Sequence, residues 1–193
     1  MFWPKRSLIH HLIRGRETAR ITTMKESSIE EHTRIGNDYE WWKITAHELF
    51  ASSAILNRER ERVEKTPFKP GPSPIERRTF WVELMLDAFG IECLIKAIWL
   101  KQGHQLVRDG KYVPMPGEGG HRLEKLCRTA RIPLNQREEE TIARLSDIAG
   151  SIARYPIPRR APKSTGALGW SEPGDYEIIE NLIARLEREL QKN

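Results

Sequence analysis

The sequence has no apolar run approaching the roughly 18 residues that a membrane helix needs, which argues against an integral membrane protein. It has only two cysteines in 193 residues, Cys93 and Cys127, both inside apolar segments. A secreted disulfide scaffold is therefore not expected, and a reducing, cytoplasmic setting is. Its six histidines, His10, His11, His32, His47, His104 and His121, form no HExxH, and CxxC is absent, so no metal site is read. Neither GxGxxG nor a Walker pattern occurs, and no cofactor is implied. Gly117, Gly119 and Gly120 read as a loop that needs free φ/ψ rather than as a phosphate cradle. No internal repeat at solenoid spacing is present.

Acidic residues are scarce in two places. Residues 1–25 hold six Lys and Arg against Glu17 alone, and the formal net charge of the whole chain is +5. Residues 154–171 hold Arg154, Arg159, Arg160 and Lys163 with no acid at all. Local surpluses of this kind suit a polyanion partner, and they equally suit a solvated tail and loop. The head, residues 1–36, is read as a basic, flexible bacterial extension with a short amphipathic piece at Ser7-Leu8-Ile9-His10-His11-Leu12-Ile13. It lacks the apolar run and cleavage site of a secretory signal.

What is present is helical periodicity. Trp42, Ala46, Leu49, Ser53 and Leu56 form one stripe of a helix beginning at Asp38, which the prolines from Pro67 to Pro74 bring to an end. Ile75–Gln102 is apolar on most of its circumference and should be the central helix, with Glu83, Asp87, Glu92 and Lys96 as its few internal charges. Glu92 and Lys96 stand at i,i+4 in the favourable order. Asp109-Gly110 between apolar residues predicts a short hairpin within 106–113. Helices follow at about 121–130, from an Asn135 N-cap with Glu138 completing a capping box, and from near Ser171 onward. In the last of these Tyr176, Ile179, Ile183, Leu186 and Leu190 share one face, on which Ile179 and Leu186 read either as dimer contacts or as core. The expectation is an all-α, up-and-down bundle of about five helices over residues 37–193.

Three groups stand out by position: Glu92-Cys-Leu-Ile-Lys96-Ala97 on the central helix, Gly120-His121-Arg122-Leu123-Glu124-Lys125-Leu126, and Arg154-Tyr155-Pro156. Their order resembles the HEPN (higher-eukaryote and prokaryote nucleotide-binding) superfamily over roughly Ala46 to Leu190. The resemblance implies a helical bundle, often a homodimer, of a family that includes metal-independent endoribonucleases of toxin–antitoxin and phage-defence systems, partners of nucleotidyltransferases, and inactive relatives. In the ribonuclease branch an Arg and a His, with four to six residues between them, cut RNA. This sequence departs from that motif, because no histidine follows Arg154. His121 reads either as a helix-start or packing residue or as a proton carrier, and Arg154 either as a helix-end cation or as an anion ligand.

The resulting expectation favours a binder of RNA or nucleotide phosphate over an enzyme. Arg154, Arg159, Arg160 and Lys163 would make the contacts, with Lys96 and His121 nearby. The alternatives are a divergent metal-independent endoribonuclease using His121 and Arg154, and a structural partner of a nucleotidyltransferase.

Overall fold

The computed structural model describes residues 28–65, 74–119, 121–152 and 174–192. The described residues are mostly helical, and they include one two-stranded ribbon. Helix α1 spans 28–36, α2 Tyr39–Glu64 and α3 Pro74–Lys101. Strands β1 (Val107–Arg108) and β2 (Lys111–Tyr112) then precede α4 (Leu123–Thr129) and α5 (Gln136–Asp147). A π-helical turn, Ile148–Ile152, continues α5, and α6 is Asp175–Gln191.

α3 is the centre of the bundle. Leu84, Ala88, Ile91, Leu94, Ile95, Ala97 and Ile98 are all buried, so apolar residues surround its axis, as its sequence required. α2 runs antiparallel along it: Trp42 lies at the level of Lys96, Phe50 at Gly90 and Arg60 at Glu83. The crossing is close at Gly90, where a Cβ would come within 2.3 Å of the Phe50 ring. α6 runs parallel to α3, with Tyr176 near Glu83 and Lys101 Nζ capping the last carbonyls of α6 at Leu190 and Lys192. α5 lies antiparallel to α6 and is tied to it by Arg144–Asp175 at 2.6 Å and Arg185–Glu138 at 2.7 Å.

Local chemistry sets the element ends. The Asp38 side chain accepts from Glu40 N at the start of α2. Asn135 and Glu138 form the expected capping box of α5. Asp109 and Gly110 have φ of 51° and 69°, the pair of positive values that closes a tight hairpin turn. α1, which the sequence reading grouped with the basic head, contacts this hairpin. Thr33 Oγ1 accepts from Gly110 N, and the Asn37 side chain bonds the backbone of Leu106 and Val107. Ile179 (3% exposed) and Leu186 (1%) lie in the core, so neither is available to a dimer contact. The exposed large apolar residues of α2 are Trp41, Ile44 and Ile55.

Candidate functional site

The four charged residues inside the apolar stretch of α3 divide between two places. Glu92 and Lys96, one turn apart, face the loop leading to α4. Glu83 and Asp87 face a groove toward α2 and α6.

The first place is a network of alternating charge. Lys96 Nζ lies 2.7 Å from Glu92 Oε1 and 2.7 Å from Glu118 Oε1. It also sits 5.0 Å from the centre of the Trp42 ring and 5.4 Å from that of Tyr112, an arrangement that favours a cation. Tyr112 OH donates to Glu118 Oε1 at 2.6 Å, while Met115 N donates to Oε2 at 2.8 Å. The second oxygen of Glu92 meets His121 Nδ1 at 2.8 Å. Phe89 packs edge-on against that imidazole at a centroid distance of 5.2 Å.

Burial opposes the charge on Lys96, but Glu92 and then Glu118 outweigh it and push the ammonium pKa up. Burial likewise opposes ionisation of Glu118, and the hydrogen bonds from Lys96 and Tyr112 overcome it, so its carboxyl titrates below the ordinary range. Tyr112 is pushed up to about 12, by burial first and by Glu118 second. Lys96 thus has its charge balanced within the protein, and its side chain is only 7% exposed. That setting is a structural one, the buried centre that fastens Tyr112, Glu118 and His121 to α3, and not the setting of a phosphate ligand.

His121 differs from its neighbours in two respects. Its side chain is one-third exposed, and its backbone has φ of 57°, the left-handed region that a non-glycine residue enters at a cost of about 1 kcal/mol or more. The Glu92 carboxylate fixes the ring through Nδ1, which sets the direction of Nε2. A carboxylate–imidazole pair of this kind can hold one tautomer and exchange a proton at the other nitrogen. Next to it, Leu123 N donates to Ser146 Oγ, and Arg122 reaches Asp147 at 3.6 Å. α5 passes this point and continues into the π-helical turn Ile148–Ile152. Arg154, Arg159, Arg160 and Lys163 lie outside the described residues.

The structure therefore joins Lys96 and His121, through Glu92. The sequence pairs Glu92 with Lys96 and places it in the group that carries the family resemblance, but it gives no site role to Glu92, to Glu118 or to Trp42, which reads there as a member of the α2 stripe. The available signal was the presence of charges on a helix apolar all round, since each such charge needs a partner brought from elsewhere.

The second place is a groove of about 490 Å³ between α2, α3 and α6. Phe50, Ile179 and Ile183 contribute its apolar lining, and Glu83, Asp87, Glu180 and Glu187 its carboxylates. Arg60 lies 3.3 Å from Glu83, and His47 Nε2 lies 3.1 Å from Glu187. Asp87 is raised to about 6, chiefly by burial, with the Ser53 hydroxyl opposing the shift and Glu83 and Glu180 adding to it. Burial also raises Glu83, against the pull of Arg60.

Among the described residues no group of three or more His, Cys, Asp or Glu is placed to hold a metal ion, and no helix is long and apolar enough to cross a membrane. No family model, curated protein or solved structure matches this chain.

Proposed function

We propose that this chain is a HEPN-like helical domain that binds RNA or nucleotide phosphate through its basic segments, in a bacterial toxin–antitoxin or phage-defence setting. The observation that supports this reading is the separation of charge. The described residues hold 21 Lys and Arg against 24 Asp and Glu, so the basic surplus of the chain lies wholly outside them. A polyanion would accordingly meet residues 154–163 or the head, and not the bundle wall. Lys96, buried between two carboxylates, is no part of the proposed contact.

The test is retention of mixed RNA across a salt titration, for the wild type and for the Arg159→Ala/Arg160→Ala variant. Each phosphate contact releases counterions, so the variant should lower the salt slope by roughly one unit per lost contact. An unchanged slope would remove this segment from the site.

A second reading is a divergent metal-independent endoribonuclease, and the Glu92–His121 hydrogen bond favours it. Here His121 would exchange the proton of the 2′-hydroxyl or of the leaving oxygen, and Arg154 would stabilise the charge developing on phosphate. Cleavage of RNA in EDTA that is lost in His121→Ala would support it. RNA that stays intact beside the wild type would overturn it. If RNA is neither retained nor cut, both readings give way to a structural partner of a nucleotidyltransferase.

A further inference from the structure

The groove between α2, α3 and α6 has a charge imbalance that its own neighbours do not correct. Arg60 faces Glu83 and His47 faces Glu187, whereas Asp87 and Glu180 have no ion-pair partner among the described residues. Between these carboxylates runs an apolar wall of half-buried Phe50 and Ile183, with buried Ile179 beneath them. Such a surface complements a segment that alternates aliphatic and cationic side chains, and its volume admits several of them.

The chain itself contains a segment of that chemistry. Leu8, Ile9, Leu12 and Ile13 recur at the spacing of one helical stripe, flanked by Lys5 and Arg6 before and by Arg14 and Arg16 after. Reach is sufficient. The residues between Ile13 and the start of α1 at 28 span up to about 45–50 Å when extended, more than the roughly 39 Å length of α2. The head joins α1 at residue 28, beside the hairpin, where Ile29 packs against Gly110, and α1 is only about 13 Å long to its other end, where Trp42 Nε1 donates to Gly36 O. The groove begins little more than one turn further along α2, at His47. A tethered segment also meets the groove at an effective concentration near the millimolar range, so weak contacts suffice.

We propose that the basic amphipathic head, residues 5–16, docks in this groove, its aliphatic stripe on the Phe50–Ile183 wall and its cations on the exposed carboxylate of Glu180. The inference is independent of RNA binding. Docking would place the head's cations in competition between the groove and any external polyanion.

Disulfide trapping in the full chain tests it. His10→Cys is combined with Ala54→Cys, an exposed groove position, or with Ser52→Cys, equally exposed but about 200° away around α2. The native thiols interfere little, because burial pushes Cys93 up to about 11 and Cys127 up to about 12. The 10–54 pair should close within one chain at least about fivefold faster than the 10–52 pair, and Glu180→Lys should remove most of that advantage. Equal rates for the two pairs, or an advantage untouched by Glu180→Lys, would overturn the proposal. A disulfide-linked dimer in place of the closed monomer would also overturn it, by assigning the groove to another copy.

Discussion

Replacing Asp87 with Asn should make this protein more stable at neutral pH, and the gain should appear only as pH rises. Asp87 titrates at about 6 in the folded chain against an ordinary 3.8, because burial at the groove disfavours the carboxylate and Glu83 and Glu180 repel it. Each pH unit of difference corresponds to about 1.4 kcal/mol, so the ionised form costs the fold about 3 kcal/mol. The direction follows from linkage. Below about pH 3.8 the group is protonated in both states and contributes no penalty. As pH rises through 6 the unfolded chain releases its proton more readily, and stability is lost. Asn is nearly the same size, stays neutral and retains an acceptor for the Ser53 hydroxyl. Urea unfolding followed by circular dichroism, at intervals from pH 4 to 8, measures the difference between variant and wild type, in which all other titrations cancel. That difference should rise by about 2 kcal/mol in favour of the Asp87→Asn variant between pH 4 and 7. A pH-independent difference would refute the reasoning, since it would mean that Asp87 ionises as freely in the fold as in water.

Three other outcomes are expected. Glu118→Gln removes one of two carboxylates from buried Lys96 and should cost about 3 kcal/mol in chemical denaturation, with little change under added salt because the pair is shielded from solvent. Gly90→Ala should destabilise by about 1–3 kcal/mol, because the new methyl would lie 2.3 Å from the Phe50 ring; pairing it with Phe50→Leu should recover part of the loss. If the chain is a homodimer, as its family resemblance implies, the exposed α2 face of Trp41, Ile44 and Ile55 is the apolar surface to test. Ile55→Asp should then convert a light-scattering dimer at roughly tens of micromolar into a monomer with its helical circular dichroism retained, and a wild-type monomer would refute the dimer.

Features that depend on near neighbours in the chain were legible in the sequence. The Asn135–Glu138 capping box, the Asp109-Gly110 turn and the central position of α3 each follow from residues within a few positions, or from the periodicity of one helix. The end of α5 was less legible, since nothing in Ile148–Ile152 foretold that its last turn would widen to a π-helix.

The site depended on contacts across long sequence separations. Sequence placed Glu92 and Lys96 one helical turn apart, but only folding brought Glu118 and His121 to them and stacked Trp42 and Tyr112 around the ammonium. The same holds for Ile179 and Leu186. Helical spacing showed that they share an apolar face, and tertiary packing decided that this face is core and not an interface. Glu83 and Asp87 were visible as charges on a helix apolar all round, a placement that demands compensation from elsewhere. Whether compensation comes as a partner, as Arg60 for Glu83, or as a displaced pKa, as for Asp87, is set by what α2 and α6 place opposite them. Local propensity and periodicity are properties of a segment, whereas the energy of a buried charge belongs to its surroundings, and those exist only in the folded chain.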